Sequence, residues 1–559
     1  MEEISDGNIL EGPNVLYEPN RGGLGYEIFR SMTLNKQKIA QHIISTGESD
    51  TNEELLRRCV RTAIFMTKRE LKKGDMVCLA SPNHKDCMVP FIASQFVGLM
   101  YSSIEPTLPE DDLEHLFEYL HPKVLFVGEN ALEKIEKCMR KVGAKCELIV
   151  FGKTDRYTEF SAILLASQEE ATFEPVFIED LKETAMVSLS SGTSGKSKGI
   201  AYNHYGALAQ IFKFHKYVVG KGTINLSNFT MKFDDTETPT YMFYSPMYWL
   251  SAIIMSLCTL FAGGTRIVGT IFNPEEAWLA LEKYQPNTCF LPPGQANELC
   301  LFPRSNNLDR VLVNVFLTGG GLVLKTHMEN LKKCFPQTKV IQAYGQTENF
   351  GIVTAFNVGK PEEMEMQNQH PDSCGKVTEG IQIKIVDDES DKICGVKQQG
   401  ELRLKNRFFM NGYYKLDSSF AFDSDGWFKT GDLAYYDENG CVYIVDRLKD
   451  VLLYTVYNIK PSVIEEILAK HPAVLESLVI GLPHPKDNEH PMGVVVLRKE
   501  YERKVGEEEI INFVNSKVPS DRYKIRGGIK FVDHIVKTPS GKYKKIEMKK
   551  LIVEGKFKY

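Results

Sequence analysis

Residues 188–199 read Ser-Leu-Ser-Ser-Gly-Thr-Ser-Gly-Lys-Ser-Lys-Gly, directly after the apolar run Met186-Val187. In a loop of this composition backbone amides can face anionic oxygens, hydroxyls donate, and Lys196 and Lys198 neutralise charge, which is phosphate-binding chemistry. The spacing is not that of a G-x-x-x-x-G-K-[ST] loop, because Ser190 stands where the first glycine would be. A ligand-free Gly/Ser surface loop would share the composition.

Three further clusters carry chemistry. Ala343-Tyr344-Gly345-Gln346-Thr347-Glu348 follows an apolar run, and an adjacent hydroxyl and carboxylate at a strand's carboxyl end can hold Mg²⁺ and a phosphate, since hard cations take oxygen ligands. The same pair also serves as a helix cap with a first-turn carboxylate. Thr430-Gly431-Asp432, with Asp446-Arg447-Leu448-Lys449-Asp450 downstream, offers a carboxylate to ribose hydroxyls and a planar guanidinium to phosphate or ribose oxygens. A hairpin with surface ion pairs is the alternative. Lys537-Thr538-Pro539-Ser540-Gly541-Lys542 presents one lysine on a Pro/Gly turn, either aimed at a ligand or simply solvated.

The elements that must position these groups are legible from apolar spacing. Leu55, Leu56, Val60, Ile64 and Phe65 recur at helical intervals, and strand-like runs stand at 76–79, 124–127, 148–151, 186–189, 311–317 and 340–341. Helical patterns lie between most of them, which predicts α/β layers with largely parallel sheets. From about Gly400 the pattern turns to shorter strands, with a hairpin signal at Asn439-Gly440. After Arg447 a compact α+β pattern predicts helices at 462–470 and 507–518 and strands at 478–480 and 492–497. A boundary near Lys449 divides the chain into 1–449 and 450–559. The apolar stretch 250–262 is thirteen residues long, short of the ~20 that span a bilayer, and reads as a buried helix.

The chain's 559 residues hold 43% hydrophobic and 25% charged residues, a globular composition that excludes collagen-like and disordered classes. With 67 basic and 73 acidic residues the formal charge is −6, which points away from nucleic acid as a partner of the whole chain. The charge is uneven: residues 519–559 carry twelve Lys/Arg against four Asp/Glu, a local +8 that leaves −14 for the rest. Twelve scattered cysteines show no C-x-x-C pair, suggesting free thiols in a reducing compartment. The acidic amino terminus resembles no signal or transit peptide, and Phe557-Lys558-Tyr559 is not a Ser-Lys-Leu address. A cytoplasmic setting is expected, a peroxisomal one stays open, and the oligomeric state is not indicated.

Taken in order, the four segments resemble the adenylate-forming superfamily of acyl-CoA synthetases, peptide adenylation domains and beetle luciferases. The resemblance spans nearly the whole chain and is nearest the luciferase and 4-coumarate–CoA ligase branch, with Asp446-Arg447-Leu448-Lys449 and Arg526-Gly527-Gly528 as echoes. It implies a large N-terminal domain of two α/β sheets plus a distorted β-barrel, with a small C-terminal α+β lid hinged at Lys449. It implies attack of a carboxylate on the α-phosphorus of MgATP, release of pyrophosphate, and transfer of the acyl group from acyl-AMP to coenzyme A. Ser190, Ser191, Gly192, Thr193, Ser194, Gly195 and Lys198 would then grip the β and γ phosphates. Thr347 and Glu348 would bind phosphate and Mg²⁺, and Tyr344 and Gly345, with the wall Gly319-Gly320-Gly321, would flank adenine. Asp432 would hold the ribose hydroxyls, with Arg447 and Lys449 beside it. Lys542 would come over from the lid to stabilise charge developing between carboxylate and α-phosphate.

The sequence departs from the family's pattern in places. Lys196 and Ser197 replace an apolar residue and a proline, Tyr248-Trp249-Leu250-Ser251-Ala252 stands where His-His-Gly-x-Gly is usual, and an insert holds Asp234-Asp235-Thr236-Glu237. After the hinge, Leu453 replaces a lysine and Val456 a glycine. A branched residue at that second position adds bulk and resists a positive φ. The leading expectation is therefore a magnesium-dependent ligase activating a fatty or aryl-alkyl acid; Phe243, Tyr244, Tyr248, Trp249 and the apolar stretch 250–260 suggest a hydrophobic pocket for it, although such residues are core more often than pocket. The alternatives are adenylation without thioester formation, service to a carrier-protein thiol, and a degenerate member that binds nucleotide or acyl ligand as a sensor. Light emission is not expected, since Leu453 stands at the oxygenation lysine.

Overall fold

A computed structural model of the protein describes residues 8–190, 196–232, 238–303, 311–537 and 543–556. It is a mixed α/β molecule with a large N-terminal domain and a smaller C-terminal one. The strand Met76–Ala80 is buried at every residue, as expected of an apolar run covered on both faces of a parallel sheet. It sits centrally in an eight-stranded sheet in which Met76–Ala80, Met100–Ser103, Val124–Gly128, Glu147–Phe151 and Thr184–Ser190 run parallel. The next strand, Lys198–Asn203, folds back antiparallel onto Thr184–Ser190 with Lys198 opposite Ser190.

The nine-stranded second sheet places Lys339–Gln346, Val315–Gly319, Thr288–Leu291, Thr240–Phe243, Thr265–Val268 and Ile39–Ile43 side by side in parallel. The strand expected over 311–317 begins only at Val315, where the amides of Asn314 and Val315 both donate to the carbonyl of Asn287. Leu312, ahead of that anchor, is exposed. Helix Asn52–Lys68 starts from a capping box between Thr51 and Glu54 and turns Leu55, Leu56, Cys59, Val60 and Ala63 into the core. Helix Leu250–Phe261 is buried over its last ten residues, Ala252 to Phe261, bearing out the buried reading. No helix among the described residues is long and apolar enough to cross a membrane.

The third sheet of this domain, expected as a distorted barrel, is antiparallel throughout, in the order Leu10–Glu11, Ile381–Val386, Gly400–Asn406, Phe428–Tyr436, Val442–Arg447. The turn between its last two strands is held by Asp437, whose carboxylate accepts from the amides of Asn439 and Cys441. Gly440 there has φ +72°, the conformation behind the Asn-Gly signal.

Beyond Leu448–Asp450, the smaller domain has a sheet ordered Tyr457–Ile459, Leu452–Tyr454, Asn488–Leu497, Val474–His484, with Ile529–Phe531 added parallel to Asn488–Leu497. Helices Pro461–Leu468 and Glu507–Asn515 cover it, and Ile459, Ile464, Leu468, Val479, Val495 and Ile510 share its core. None of the twelve cysteines is joined in a disulfide and ten are buried, as the scattered spacing suggested.

Candidate functional site

Gly319 and Ala343 form the last parallel pair between Val315–Gly319 and Lys339–Gln346 of the nine-stranded sheet, at the edge where open α/β sheets bind ligands. Gly320 turns away with φ +82° and nothing stands where its Cβ would be. Gly345 is required for a different reason: a Cβ there would come within 2.3 Å of the Gly351 carbonyl oxygen. The chain then enters a short 3₁₀ turn, Thr347–Asn349. That turn is held from outside, since the Tyr202 hydroxyl donates to the Thr347 carbonyl at 2.5 Å and the Gln210 amide donates to the Asn349 carbonyl at 2.6 Å.

Asp432 is delivered by another sheet. It lies in Phe428–Tyr436 opposite Arg447, and its buried carboxylate collects three donors. The Tyr344 hydroxyl and the Gln346 side-chain amide reach one oxygen, each at 2.6 Å, while Arg447 Nε reaches the other at 2.8 Å. Burial and the neighbouring Asp432 carboxylate push the Tyr344 phenol well above its ordinary range, so it stays a donor. Asp432 in turn holds the half-exposed Arg447 guanidinium in its charged form. Gln346 Oε1 is buried without a partner, an open acceptor beside the carboxylate.

The phosphate-loop segment joins this cluster through its flanks. Ser190 and Lys198 close the hairpin as a register pair, whereas Ser191, Gly192, Thr193, Ser194 and Gly195 lie outside the described residues, as do the insert residues Asp234 to Glu237. The Lys198 ammonium sits over the Phe420 ring at 4.6 Å and the Tyr413 ring at 5.5 Å. The Tyr413 hydroxyl donates to Glu348 at 3.0 Å. Ser190, Lys198, Tyr413, Glu348, Thr347, Tyr344 and Asp432 therefore form one connected surface, drawn from three sheets. Gln346, Tyr413, Phe420 and Tyr202 were missed in the sequence. Only Gln346 sat inside a recognised motif; the others are aromatics whose role is visible only once the strands are paired.

Lys542 also lies outside the described residues. Its flanks do not: Lys537 and Tyr543 pair as an antiparallel bridge, and Lys537 is tied to Glu476 at 2.6 Å. Beside them Lys544 lies within electrostatic reach of Glu105, which follows strand Met100–Ser103 of the eight-stranded sheet. Lys449 is exposed in the turn Leu448–Asp450, with Asp446 beside it accepting from the Ser462 amide at 3.1 Å.

Two expectations about side chains need correcting. Phe243 and Tyr244 are core residues, not pocket lining: both are nearly fully buried, and Tyr244 packs on Phe272 and reaches Glu276. Tyr248 lines a closed crevice with no room for a water molecule, together with Tyr101, Ser103, Met186, Ser188 and Met247. A wider cleft near Glu11, Lys405 and Arg407 contains none of the motif residues. After the hinge, the left-handed residue is Thr455, with φ +54°, and not Val456. Val456 carries no positive φ; it is 83% exposed at the tip of the turn.

Comparison with known proteins shows the family and the fold. The family described as AMP-binding enzyme matches residues 30–414, and the AMP-binding enzyme C-terminal domain matches 463–542. The luciferin 4-monooxygenase of Photuris pensylvanica is 28% identical over 99% of this chain and all of its own. The peroxisomal OPC-8:0-CoA ligase 1 of Arabidopsis thaliana is 28% identical over 94% of this chain and 92% of its own. Among solved structures, the luciferase-like enzyme of the nonluminescent mealworm Zophobas morio is 30% identical, with TM-score 0.71, covering 79% of this chain and 99% of that one. ATP-bound MatB from Rhodopseudomonas palustris shares the fold at 22% identity, with TM-score 0.80 over 94% of this chain and 98% of its own.

Proposed function

This chain belongs to the AMP-binding enzyme family, within the adenylate-forming superfamily, and on that premise we propose that it activates a hydrophobic carboxylic acid with ATP and passes the acyl group to coenzyme A. The observation that carries the reading is the Asp432 carboxylate, ringed by Tyr344, Gln346 and Arg447 at the carboxyl edge of a parallel sheet. A ribose diol entering there displaces or shares these donors, and Gln346 Oε1 offers a further acceptor. Lys198, with its ammonium over aromatic rings, faces the phosphates together with the hydroxyls of the 190–194 loop. The substrate carboxylate attacks the α-phosphorus, the bond to pyrophosphate breaks, and acyl-AMP forms; the thiol of coenzyme A then attacks the acyl carbon and AMP leaves. Lys542 supplies positive charge to the first step, a role worth about 3–4 kcal/mol when such a group is preorganised.

Thr347 and Glu348 are an oxygen-donor pair that fits Mg²⁺; bound there with the nucleotide, the ion supplies charge neutralisation on the phosphates. Tyr101, Met247 and Tyr248 close around a crevice too tight to hold the acid as it stands, so binding the acyl end there requires these side chains to move apart. We place the hinge at Lys449, between a body of 1–449 and a lid of 450–559, and a cytosolic setting suits twelve cysteines without a disulfide.

The test is pyrophosphate release with a panel of acids, with and without coenzyme A, with acyl-AMP and acyl-CoA separated by chromatography. No acid-dependent release from folded protein overturns the proposal. A second reading, adenylation without thioester transfer, rests on Val456 standing exposed where the family carries glycine. Release that yields acyl-AMP and no acyl-CoA selects it.

A further inference from the structure

The smaller domain carries a cluster that plays no part in the reaction above. His484 ends strand Val474–His484, and His490 lies in the return strand opposite Leu482. Positions two apart in a strand share a face, so both imidazoles project from the same side. They stack with centroids 3.8 Å apart and planes 14° apart. The loop between them folds Asp487 back, placing one carboxylate oxygen 3.2 Å from His484 Nδ1 and 2.7 Å from His490 Nε2. One ligand atom from each of the three residues lies within 4.8 Å of the others.

We propose that His484, Asp487 and His490 bind a divalent transition-metal ion, with Zn²⁺ as the first candidate, and that the ion braces the turn at Tyr454-Thr455-Val456-Tyr457. Two imidazoles with one carboxylate suit zinc and its neighbours rather than magnesium or calcium, which prefer all-oxygen shells. At bond lengths of about 2.0–2.2 Å, tetrahedral ligand atoms stand roughly 3.4 Å apart, against a present spacing within 4.8 Å, and His484 Nδ1 gives up the Asp487 backbone amide it now accepts at 3.2 Å to take the ion. The His490 imidazole now donates to Asp487; the metal takes the place of that proton, which passes to the other ring nitrogen or to solvent. All three side chains are partly exposed, at 35%, 30% and 19%, which gives the ion an entry path and leaves a fourth position for water.

The bracing follows from the hydrogen bonds around the cluster. The Thr455 amide donates to the Asp487 carbonyl at 2.8 Å, the Asn488 side-chain amide donates to the Thr455 carbonyl at 2.7 Å, and the Leu453 amide donates to the Glu489 carboxylate at 3.1 Å. An ion that fixes 484–490 therefore fixes the turn that presents Val456. Arg526, stacked on Tyr454 at 4.4 Å, and Lys486, next to Asp487 in the loop, are cations that oppose binding, and Asp521 partly offsets the first.

The experiment is metal titration of the full-length, tag-free chain by calorimetry, with bound zinc counted by elemental analysis and Co²⁺ substitution followed in the visible spectrum. One equivalent of Zn²⁺ should bind with micromolar or tighter affinity, and Co²⁺ should give tetrahedral absorption bands. His484→Ala, His490→Ala and Asp487→Asn should each weaken binding at least tenfold, while His115→Ala, on the other domain, should not. Zn²⁺ should also slow hydrogen exchange of the Leu453 and Thr455 amides. Absence of stoichiometric binding, or binding untouched by all three substitutions, overturns the site. Exchange at Leu453 and Thr455 that ignores bound Zn²⁺ overturns the bracing.

Discussion

Replacing Asp432 with Asn tests the centre of the proposed nucleotide site with almost no change of shape. One carboxylate oxygen becomes an amide that can only donate. Placed toward Gln346 it would meet a second donor in a buried position, whereas placed toward Arg447 it meets a guanidinium that is 45% exposed and can swing into water. The second arrangement is therefore favoured: Tyr344 and Gln346 keep their acceptor, the fold survives, and the charge and the Arg447 tether are lost. A hydrogen bond to a charged group contributes about 1.5–3 kcal/mol, so if the carboxylate grips ribose hydroxyls, ATP binding weakens about 10- to 150-fold. Tyr344→Phe leaves the charge and two of three donors in place and removes a neutral donor, an effect of about 0.5–1.5 kcal/mol, or roughly two- to tenfold. Calorimetric titration with ATP measures both variants without knowledge of the acid. An affinity within about twofold of wild type in folded Asp432→Asn protein refutes the ribose role. A larger effect from Tyr344→Phe than from Asp432→Asn would mean that the tyrosine acts on the nucleotide directly.

Three other outcomes are expected. Gly345→Ala forces a Cβ to within 2.3 Å of the Gly351 carbonyl, so the strand must shift at a cost of about 1–3 kcal/mol, and a melting temperature equal to wild type would disprove the close approach. Lys213 is buried without a hydrogen-bond partner, and burial lowers its pKa from 10.5 to about 7. The unfolded chain binds the extra proton between those two values, so stability rises with pH across that window and the penalty, about 5 kcal/mol at most, is fully present below pH 7. Lys213→Met should raise the melting temperature at pH 7 and flatten its climb toward pH 10; an unchanged slope would contradict this. Val456→Gly should speed acyl-CoA formation and leave pyrophosphate release alone, and an unaltered rate would show that bulk at this exposed turn does not limit thioester transfer.

How much was legible in the chain depends on the range of the interaction concerned. Met76–Ala80, Thr184–Ser190 and Leu250–Phe261 were readable because their signal is local: continuous apolar residues bounded by turn formers. Thr347, Glu348 and Asp432 could be singled out because their motifs are short and contiguous, and Asp432 does meet Tyr344 and Gln346 of the Thr347 segment. Tyr413 was not, since it acts on Glu348 from 65 residues away, and a lone Gly-Tyr pair carries no pattern. Phe243 and Tyr244 were misplaced for the converse reason: an aromatic residue beside a motif looks the same in sequence whether its strand faces the site or the core.

By itself the sequence determined the α/β layering, the likeness of its four ordered motifs to those of the adenylate-forming superfamily, and the basic character of the last forty-one residues. These depend on residue type, periodicity and short spacing, which backbone sterics and side-chain burial translate directly into strands, helices and turns. The tertiary structure alone decided that Asp432 is shared by Tyr344, Gln346 and Arg447, that the left-handed residue of the lid turn is Thr455, and that His484, Asp487 and His490 converge. Each depends on strand register or the path of a turn, and register is set by the packing of whole sheets, where a one-residue slip sends every side chain to the opposite face.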